Sequence, residues 1–357
     1  MTNIDLKGKK VFITGITGFK GSWLALMCKE LGADSIAGIG LAETRHEHIF
    51  NQARIKDIAK VYIGDMLDLS SNFDAIYEMM DSDIVFHLAA QPIVSIGFEN
   101  PVYTFRNNTD LTLILHEMLT SAYKKMSVIN VTTDKVYQPL KRPHTEDDIL
   151  FGEDPYSLSK SFADMVSTLY VNTYFSKLDV PVIVSSMRAG NVIGGGDIQE
   201  NRIMTDIVNS IWKGKNLEIR NPASIRPYQY VLDCLYAYIL LAVKQYDDSE
   251  LAGKYNIGPT PNTVVNTMTL VESCEKVGLP FNHNLDGKSI GKENEVLLLD
   301  STKLREKLNW SPVYDNIDEI TKTTLEWFSN MNNDKDMAEY SRKKVEEFLK
   351  EVKDEED

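Results

Sequence analysis

The chain has 357 residues, 43% of them hydrophobic, and a formal net charge of −14, which is enough to build two lobes of ordinary size around a sizeable core. The negative balance argues against a nucleic-acid partner, because gripping a phosphate backbone takes clustered cations. No apolar run approaches the ~20 residues of a membrane span, and the start Met1-Thr2-Asn3-Ile4-Asp5 has neither the basic nor the apolar region of a secretory signal, so a soluble cytoplasmic protein without a membrane partner is expected. The three cysteines, Cys28, Cys234 and Cys274, lack C-x-x-C spacing and read as small buried apolar residues. Among the six histidines, His46 and His48 could share one face of a strand, but no further ligands are placed beside them and no metal is expected.

Val11-Phe12-Ile13-Thr14 is a short apolar run that enters Gly15-Ile16-Thr17-Gly18-Phe19-Lys20-Gly21 and then the amphipathic stretch from Ser22. Strand, glycine turn and helix in that order suit a dinucleotide: glycines let backbone N–H groups approach a pyrophosphate, and the helix N-terminus favours its charge. Ser35-Ile36-Ala37-Gly38-Ile39 reads as the second strand. The acidic residue that would sense a ribose at its end is missing, with only Glu43 and Arg45 further on, so this position does not separate NAD from NADP. Val61-Tyr62-Ile63-Gly64 leads to Asp65, either an adenine contact or a turn cap.

Ile84-Val85-Phe86-His87-Leu88-Ala89-Ala90 suits a strand covered on both faces, with His87 packed inside and the small alanine pair allowing a cofactor to pass. A long helix is expected over residues 101–124, and Val128-Ile129-Asn130-Val131 is a further buried strand. The alternation predicts a doubly wound parallel α/β sheet of Rossmann type, with ligands beyond the carboxyl ends of its strands. After Pro181-Val182-Ile183-Val184 the alternation weakens and a second, smaller mixed α/β lobe begins. The last residues, from Asp334 onward, read as a charged, solvated and fraying helix.

Two stretches carry chemistry. Tyr156 and Lys160 stand four apart at the start of a helix, so phenol and ammonium share a face, and the cation is expected to lower the phenol's pKa towards working pH. Such a pair can take a proton from an alcohol while a nicotinamide takes the hydride. Thr133-Asp134-Lys135 places a hydroxyl, a carboxyl and an amine in sequence. They serve one substrate only if the strand breaks there, since strand neighbours face opposite sides. The helix after Tyr156 carries two apolar stripes, Leu158, Phe162, Met165, Leu169 and Ala163, Val166, Tyr170, Tyr174. One would cover the sheet, and the other needs either a second helix of the same chain or the same helix of a partner subunit, of which the partner is favoured, giving a homodimer or higher homo-oligomer.

The glycine turn through Trp23, His87-Leu88-Ala89-Ala90-Gln91-Pro92, the Thr133-to-Tyr137 run, Asp154-Pro155-Tyr156-Ser157-Leu158-Ser159-Lys160, and Arg188-Ala189-Gly190-Asn191-Val192-Ile193-Gly194-Gly195-Gly196-Asp197 resemble the extended short-chain dehydrogenase/reductase family. Phe19-Lys20-Gly21-Ser22-Trp23, the Asp134-Lys135 pair and the triple glycine are most similar to its CDP-glucose 4,6-dehydratase group. The resemblance runs from about residue 8 to 328. It implies an NAD-binding lobe over residues 1–188, to which residues 226–258 return, a mostly substrate-binding lobe over 189–330, and a charged tail over 331–357.

The resemblance also implies roles. Tyr156, with Lys160 and Thr133, would deprotonate the sugar 4-hydroxyl during oxidation by NAD. Asp134 would donate a proton to the departing 6-hydroxyl, for which it must be held protonated. Lys135 would act at C5 as a neutral base or an enolate-stabilising cation. Coenzyme contacts would come from Gly15, Thr17, Gly18, Phe19, Lys20, Gly21, Asp65, Met66, Leu88, Ala89, Ala90 and Asn108, along with Tyr156 and Lys160. The nucleotide sugar would be met by Gln91, Asn191, Arg202, Arg220, Arg226 and Glu293, because guanidinium forks suit pyrophosphates. Tyr228, Tyr230, Asp233 and Lys292-Glu293-Asn294 depart from the group's usual residues in the substrate lobe, which leaves the sugar and base open. A 4-epimerase, a dehydratase for another nucleotide, and a non-catalytic NAD-binding sensor are the alternatives.

Overall fold

A computed structural model describes residues 4–68, 71–219, 221–277, 280–285 and 297–354. Apolar strands and helices alternate through the first half. β1 (Lys10–Thr14) runs into α1 (Phe19–Glu30), followed by β2 (Ser35–Gly40), α2 (Ile49–Gln52), β3 (Lys60–Ile63), α3 (Phe73–Met80) and β4 (Ile84–His87). Three short helices come next, α4 (Val94–Glu99), α5 (Pro101–Phe105) and α6 (Leu111–Leu119), and then β5 (Met126–Thr133), α7 (Pro155–Thr173) and β6 (Val182–Ala189). Beyond this point come β7 (Asn191–Ile193), α8 (Ile203–Lys213), β8 (Leu217–Glu218), β9 (Ile225–Tyr230), α9 (Val231–Asp247), β10 (Lys254–Ile257) and β11 (Val264–Asn266). The chain closes with α10 (Thr267–Lys276), β12 (His283–Asn284), α11 (Thr302–Leu308), α12 (Ile317–Asn332) and α13 (Met337–Asp354).

Seven strands form one sheet in the order β10-β6-β5-β4-β1-β2-β3, and every pairing in it is parallel. β4, β5 and β6 are buried at every position, as a sheet covered by helices on both faces requires. The strand order reverses between β1 and β4, which opens a crevice at their carboxyl ends. Beyond the large sheet, β11-β9-β7 and β12-β8 form two small sheets of the second lobe. α9 packs back on α1 and β5, and β10 adds to the large sheet beside β6.

Several expectations need correction. The helix expected over 101–124 is α5 and α6 joined by a π turn at Arg106–Asp110, and it stops at Leu119. The π turn swings Asn108 inward, where its side chain bonds Gln91 and Ser159. The sheet-facing side of α7 is not an apolar stripe. It carries Ser159, Lys160, Ala163, Asp164, Ser167 and Tyr170, and its polar groups pair with Asn130 and Thr132 of β5. Tyr174 and the other stripe, Phe162, Met165 and Leu169, are exposed.

The terminal segment is a docked helix rather than a fraying one. Met337, Ser341, Val345, Phe348 and Val352 of α13 are buried against α1 and α12, and Trp327 Nε1 donates to Ser341 Oγ at 3.0 Å. His46 and His48 share no strand. They lie in the turn before α2, where His48 Nδ1 accepts from Phe50 N–H and caps that helix. Cys28, Cys234 and Cys274 are buried free thiols, as expected. Among the described residues no helix is long and apolar enough to cross a membrane.

Candidate active site

A cavity of about 590 Å³ opens at the switch point between β1 and β4 and reaches into the second lobe. Its floor is built by the first glycine turn. Thr14 Oγ1 accepts from the N–H groups of Leu88 and Ala89, each at 3.1 Å, and so draws the end of β4 against β1. Gly15 has φ +74, and a Cβ there would lie 2.9 Å from Ala89 N. At Gly21 a Cβ would fall 2.1 Å from Gly15 O. Only glycine fits at either place, and the first-turn N–H groups of α1 are left facing the cavity, a donor set suited to a pyrophosphate. Since Thr14 Oγ1 accepts twice, its own proton goes to His87 Nδ1 at 2.8 Å, and His87 Nε2–H meets Thr112 Oγ1 at 3.2 Å. Burial holds His87 neutral, well below its usual pKa.

Gly15, Thr17, Gly18, Phe19, Lys20, Gly21, Asp65, Met66, Leu88, Ala89 and Ala90 all line the cavity. Asp65 Oδ1 also caps its own turn by accepting from Leu67 N–H at 2.9 Å. Asn108 and Gln91 stand behind the wall. Asn108 bonds both backbone groups of Gln91, and the Gln91 amide donates to Thr104 Oγ1 at 2.8 Å. In their place Tyr103 of α5 and Asn107 of the π turn reach the cavity, the latter because that turn shifts the helical register. Glu43 and Arg45 bind each other at 2.5 Å, outside the cavity lining.

The break in β5 occurs where the three functional groups meet. Directly after Thr133 the backbone enters a 3-10 turn over Asp134–Val136, with Thr133 as its cap. That turn puts Thr133, Asp134 and Lys135 on one cavity with Tyr156 and Lys160. Thr133 Oγ1 donates to Asp134 Oδ1 at 2.8 Å, while Asp134 Oδ2 is buried with no hydrogen-bond partner among the described residues. Burial raises the Asp134 pKa, against the opposing pull of Lys135, Thr133, Arg226 and Lys20.

The Tyr156–Lys160 pair differs from expectation. Burial pushes the Tyr156 phenol up to about 12, partly offset by a hydrogen bond with Thr133. Lys160 is not among its main influences, and the Lys160 ammonium donates instead to Val131 O at 3.1 Å. Desolvation outweighs proximity for both groups: burial, with Lys20 nearby, lowers the Lys160 pKa to about 8.

On the second lobe's side, Asn191, Arg202, Arg226 and Tyr228 line the cavity. Arg202 pairs with Asp197 at 2.8 Å. The triple glycine delivers Asp197: Gly196 is left-handed at φ +76, and a Cβ on Gly195 would lie 2.1 Å from the Trp327 ring. Trp23 Nε1 donates to Gly195 O at 2.9 Å, so the two distinctive motifs of the sequence hold each other. Two of the noted departures are not in the cavity lining. Tyr230 packs against Tyr314 with ring centroids 4.6 Å apart and planes tilted by 44°, and Asp233 accepts from the N–H groups of Val313 and Tyr314 at 2.6 and 3.2 Å. Both anchor the segment before α12. Arg220 and Glu293, with Lys292 and Asn294, lie outside the described residues. Asp197, Asn201, Ser224 and Thr267 also face the cavity. Asp197 alone had a sequence signal, the preceding glycines.

The sequence profile of the GDP-mannose 4,6 dehydratase family matches residues 12–324. The chain belongs to that family. A CDP-glucose 4,6-dehydratase from Salmonella typhimurium is 33% identical, over 96% of this chain and 97% of that one. A UDP-glucose 4-epimerase from Lactobacillus helveticus is 25% identical over 89% of this chain and 96% of that one. Membership makes this chain a nucleotide-sugar enzyme of the dehydratase and epimerase type. In fold it is similar to a UDP-glucuronic acid 4-epimerase from Bacillus cereus, solved with UDP-glucuronic acid and NAD, with TM-score 0.78, 20% identity, and coverage of 90% of this chain and 99% of that one.

Proposed function

We propose that this protein is an NAD-dependent CDP-glucose 4,6-dehydratase that forms CDP-4-keto-6-deoxyglucose and water. The carrying observation is Asp134, a carboxyl disfavoured in its charged form by burial, one oxygen unpartnered among the described residues, on the cavity that holds Tyr156. Exchange of a proton at O4 needs no such acid, whereas expulsion of a 6-hydroxyl does. The 33% identity to the Salmonella CDP-glucose enzyme supports the choice of nucleotide.

NAD, when bound, takes up a hydride and gives it back, ending as it began. The chain's own residues do the rest. The glycine turn and the first turn of α1 hold the coenzyme's phosphates, with Asp65, Met66, Leu88, Ala89 and Ala90 along its length. Tyr156, as a phenolate, takes the proton from the sugar's 4-hydroxyl and becomes a phenol, with Thr133 beside it on the cavity. With a ketone at C4 the C5 hydrogen becomes acidic, and Lys135 acts there. Asp134 gives its proton to the 6-hydroxyl, which leaves as water as the C5–C6 double bond forms. Arg202 and Arg226, with the Asn191 amide, hold the nucleotide diphosphate, the two guanidiniums supplying the local positive charge that a chain of net charge −14 needs there.

Incubation with CDP-glucose and added NAD should yield a sugar lighter by one water without net NADH, read by mass spectrometry and absorbance. Formation of the C4 epimer without loss of water would favour the epimerase reading, which the Tyr156 and Lys160 pair also supports. Turnover of another nucleotide's glucose, with CDP-glucose untouched, would overturn the assignment of the base.

The same reading gives the outer face of α5, α6 and α7 to a second copy of the chain. Val102, Leu113, Phe162, Met165 and Leu169 are all exposed there on adjacent helices, a patch that a lone soluble domain seldom leaves open. Leu169→Glu should sediment as a monomer where the parent sediments as a dimer. A monomeric parent at tens of micromolar would remove the proposal.

A further inference from the structure

Lys20 has a task left unexplained by the glycine turn that contains it. In a dinucleotide turn the backbone N–H groups meet the phosphates, and a side chain at this position needs no charge. Here Lys20 Nζ donates to Tyr238 Oη at 3.2 Å, and Tyr238 is fully buried on α9. Cys234, also fully buried, lies one helical turn earlier on α9. The ammonium is therefore tethered towards the protein interior, on the wall of the same cavity as Tyr156, Asp134 and Lys160. It lies close enough to act electrostatically on both Asp134 and Lys160.

Asp197 is engaged by Arg202 and Asp164 by Arg188. Burial disfavours the charged form of Asp134. Lys20, Lys135 and Lys160 stand with Asp134 and Tyr156 on the cavity, a cluster of amino groups in an acidic protein, while the carboxylates Asp65, Asp206 and Glu218 line it from β3's end, α8 and β8. The oxidised nicotinamide ring carries a positive charge and the reduced ring carries none. A fixed cation in a partly desolvated site raises the free energy of the charged form alone.

We propose that Lys20 is an electrostatic positioning residue: a cation tethered to the Tyr238 hydroxyl that makes the reacting end hold the uncharged reduced coenzyme more tightly than the cationic oxidised one. The effect favours the first half of the reaction, in which electrons must leave the sugar. It rests on the reading of the cavity as the NAD site.

The test is the ratio of the dissociation constants for NAD and NADH, measured by equilibrium titration of the full-length protein. The parent should prefer NADH, and Lys20→Met should reduce that preference on the order of tenfold, about 30 mV for a two-electron couple. Lys20→Arg, which keeps the charge, should restore most of it. If Lys20 merely gripped the pyrophosphate or braced the turn, both forms would weaken together and the ratio would stand, overturning the proposal. Should Lys20→Met fail to fold, Tyr238→Phe, which removes only the tether, is expected to move the ratio in the same direction by less, and an unchanged ratio there is equally fatal. A parent that binds neither form sinks the coenzyme reading itself, a distinguishable result.

Discussion

Asp134→Asn is expected to slow release of water from CDP-glucose by roughly a thousandfold, the size of a general-acid contribution. An amide fills the same space and can accept from Thr133, but it cannot give a proton to a leaving hydroxyl. Oxidation at C4 uses Tyr156, so a transient rise in NADH absorbance and exchange of the C5 hydrogen with deuterated solvent should both survive. A variant that still dehydrates at about a tenth of the parental rate would take Asp134 out of the acid role.

The pH dependence has a definite sign. Burial raises the Asp134 pKa above its ordinary value of 3.8. The group therefore contributes stability while protonated, fully below 3.8, and that contribution is lost as pH rises through the raised folded value. Above it the parent keeps an ionised carboxylate in its interior, a cost that the amide does not share. Stability of Asp134→Asn relative to the parent should thus increase as pH climbs from 3.8 through that value, in chemical denaturation at a series of pH values. A relative stability that falls over this range would mean that the folded protein favours the carboxylate. Variant inactivity at neutral pH then has no unfolding to explain it.

Much of this site could be read from residues in order, because the turn and the strand runs are local. Gly15, Gly18 and Gly21 announce a close approach of backbone to ligand, and burial of β4 and β5 follows from their unbroken apolar runs. What escaped was decided by groups distant in sequence. The π turn at Arg106–Asp110 adds one residue to a turn without a proline or glycine to mark it, and this moved Asn107 to the wall and Asn108 behind it. The docked face of α13 was obscured because Ser341 interrupts its apolar stripe among many charges. A spacing of four placed Tyr156 and Lys160 on one helix face, but the direction of their pKa shifts depended on burial, which spacing does not report. Tyr230 and Asp233 looked like substrate residues by position in the chain and are anchors for another segment.

The position of the acid depends in turn on a buried ion pair one layer below it. Arg188 on β6 donates to both oxygens of Asp164 on α7, at 2.8 and 2.7 Å, and neither side chain has any exposure. The same guanidinium donates to Tyr137 Oη at 2.7 Å and to Glu146 O at 3.0 Å, and Tyr137 Oη donates to Asn256 Oδ1 at 2.6 Å on β10. Tyr137 directly follows the turn that carries Asp134 and Lys135, so the pair joins β6, α7 and β10 to the acid's backbone. Asp164→Asn keeps volume and shape but leaves the Arg188 charge unmatched in the interior. The expected loss is about 3–5 kcal/mol of folding stability, the cost of breaking rather than replacing a buried pair. Adding Arg188→Met should recover part of it, since an apolar pair of similar volume carries no desolvation penalty. Urea denaturation of the parent, both single variants and the double variant measures the coupling directly. A loss under about 1 kcal/mol for Asp164→Asn would mean that water or a shifted partner reaches Arg188. The turn holding Asp134 would then owe its geometry to the Thr133 cap and to the bond from Ser161 Oγ to Val136 O at 2.7 Å.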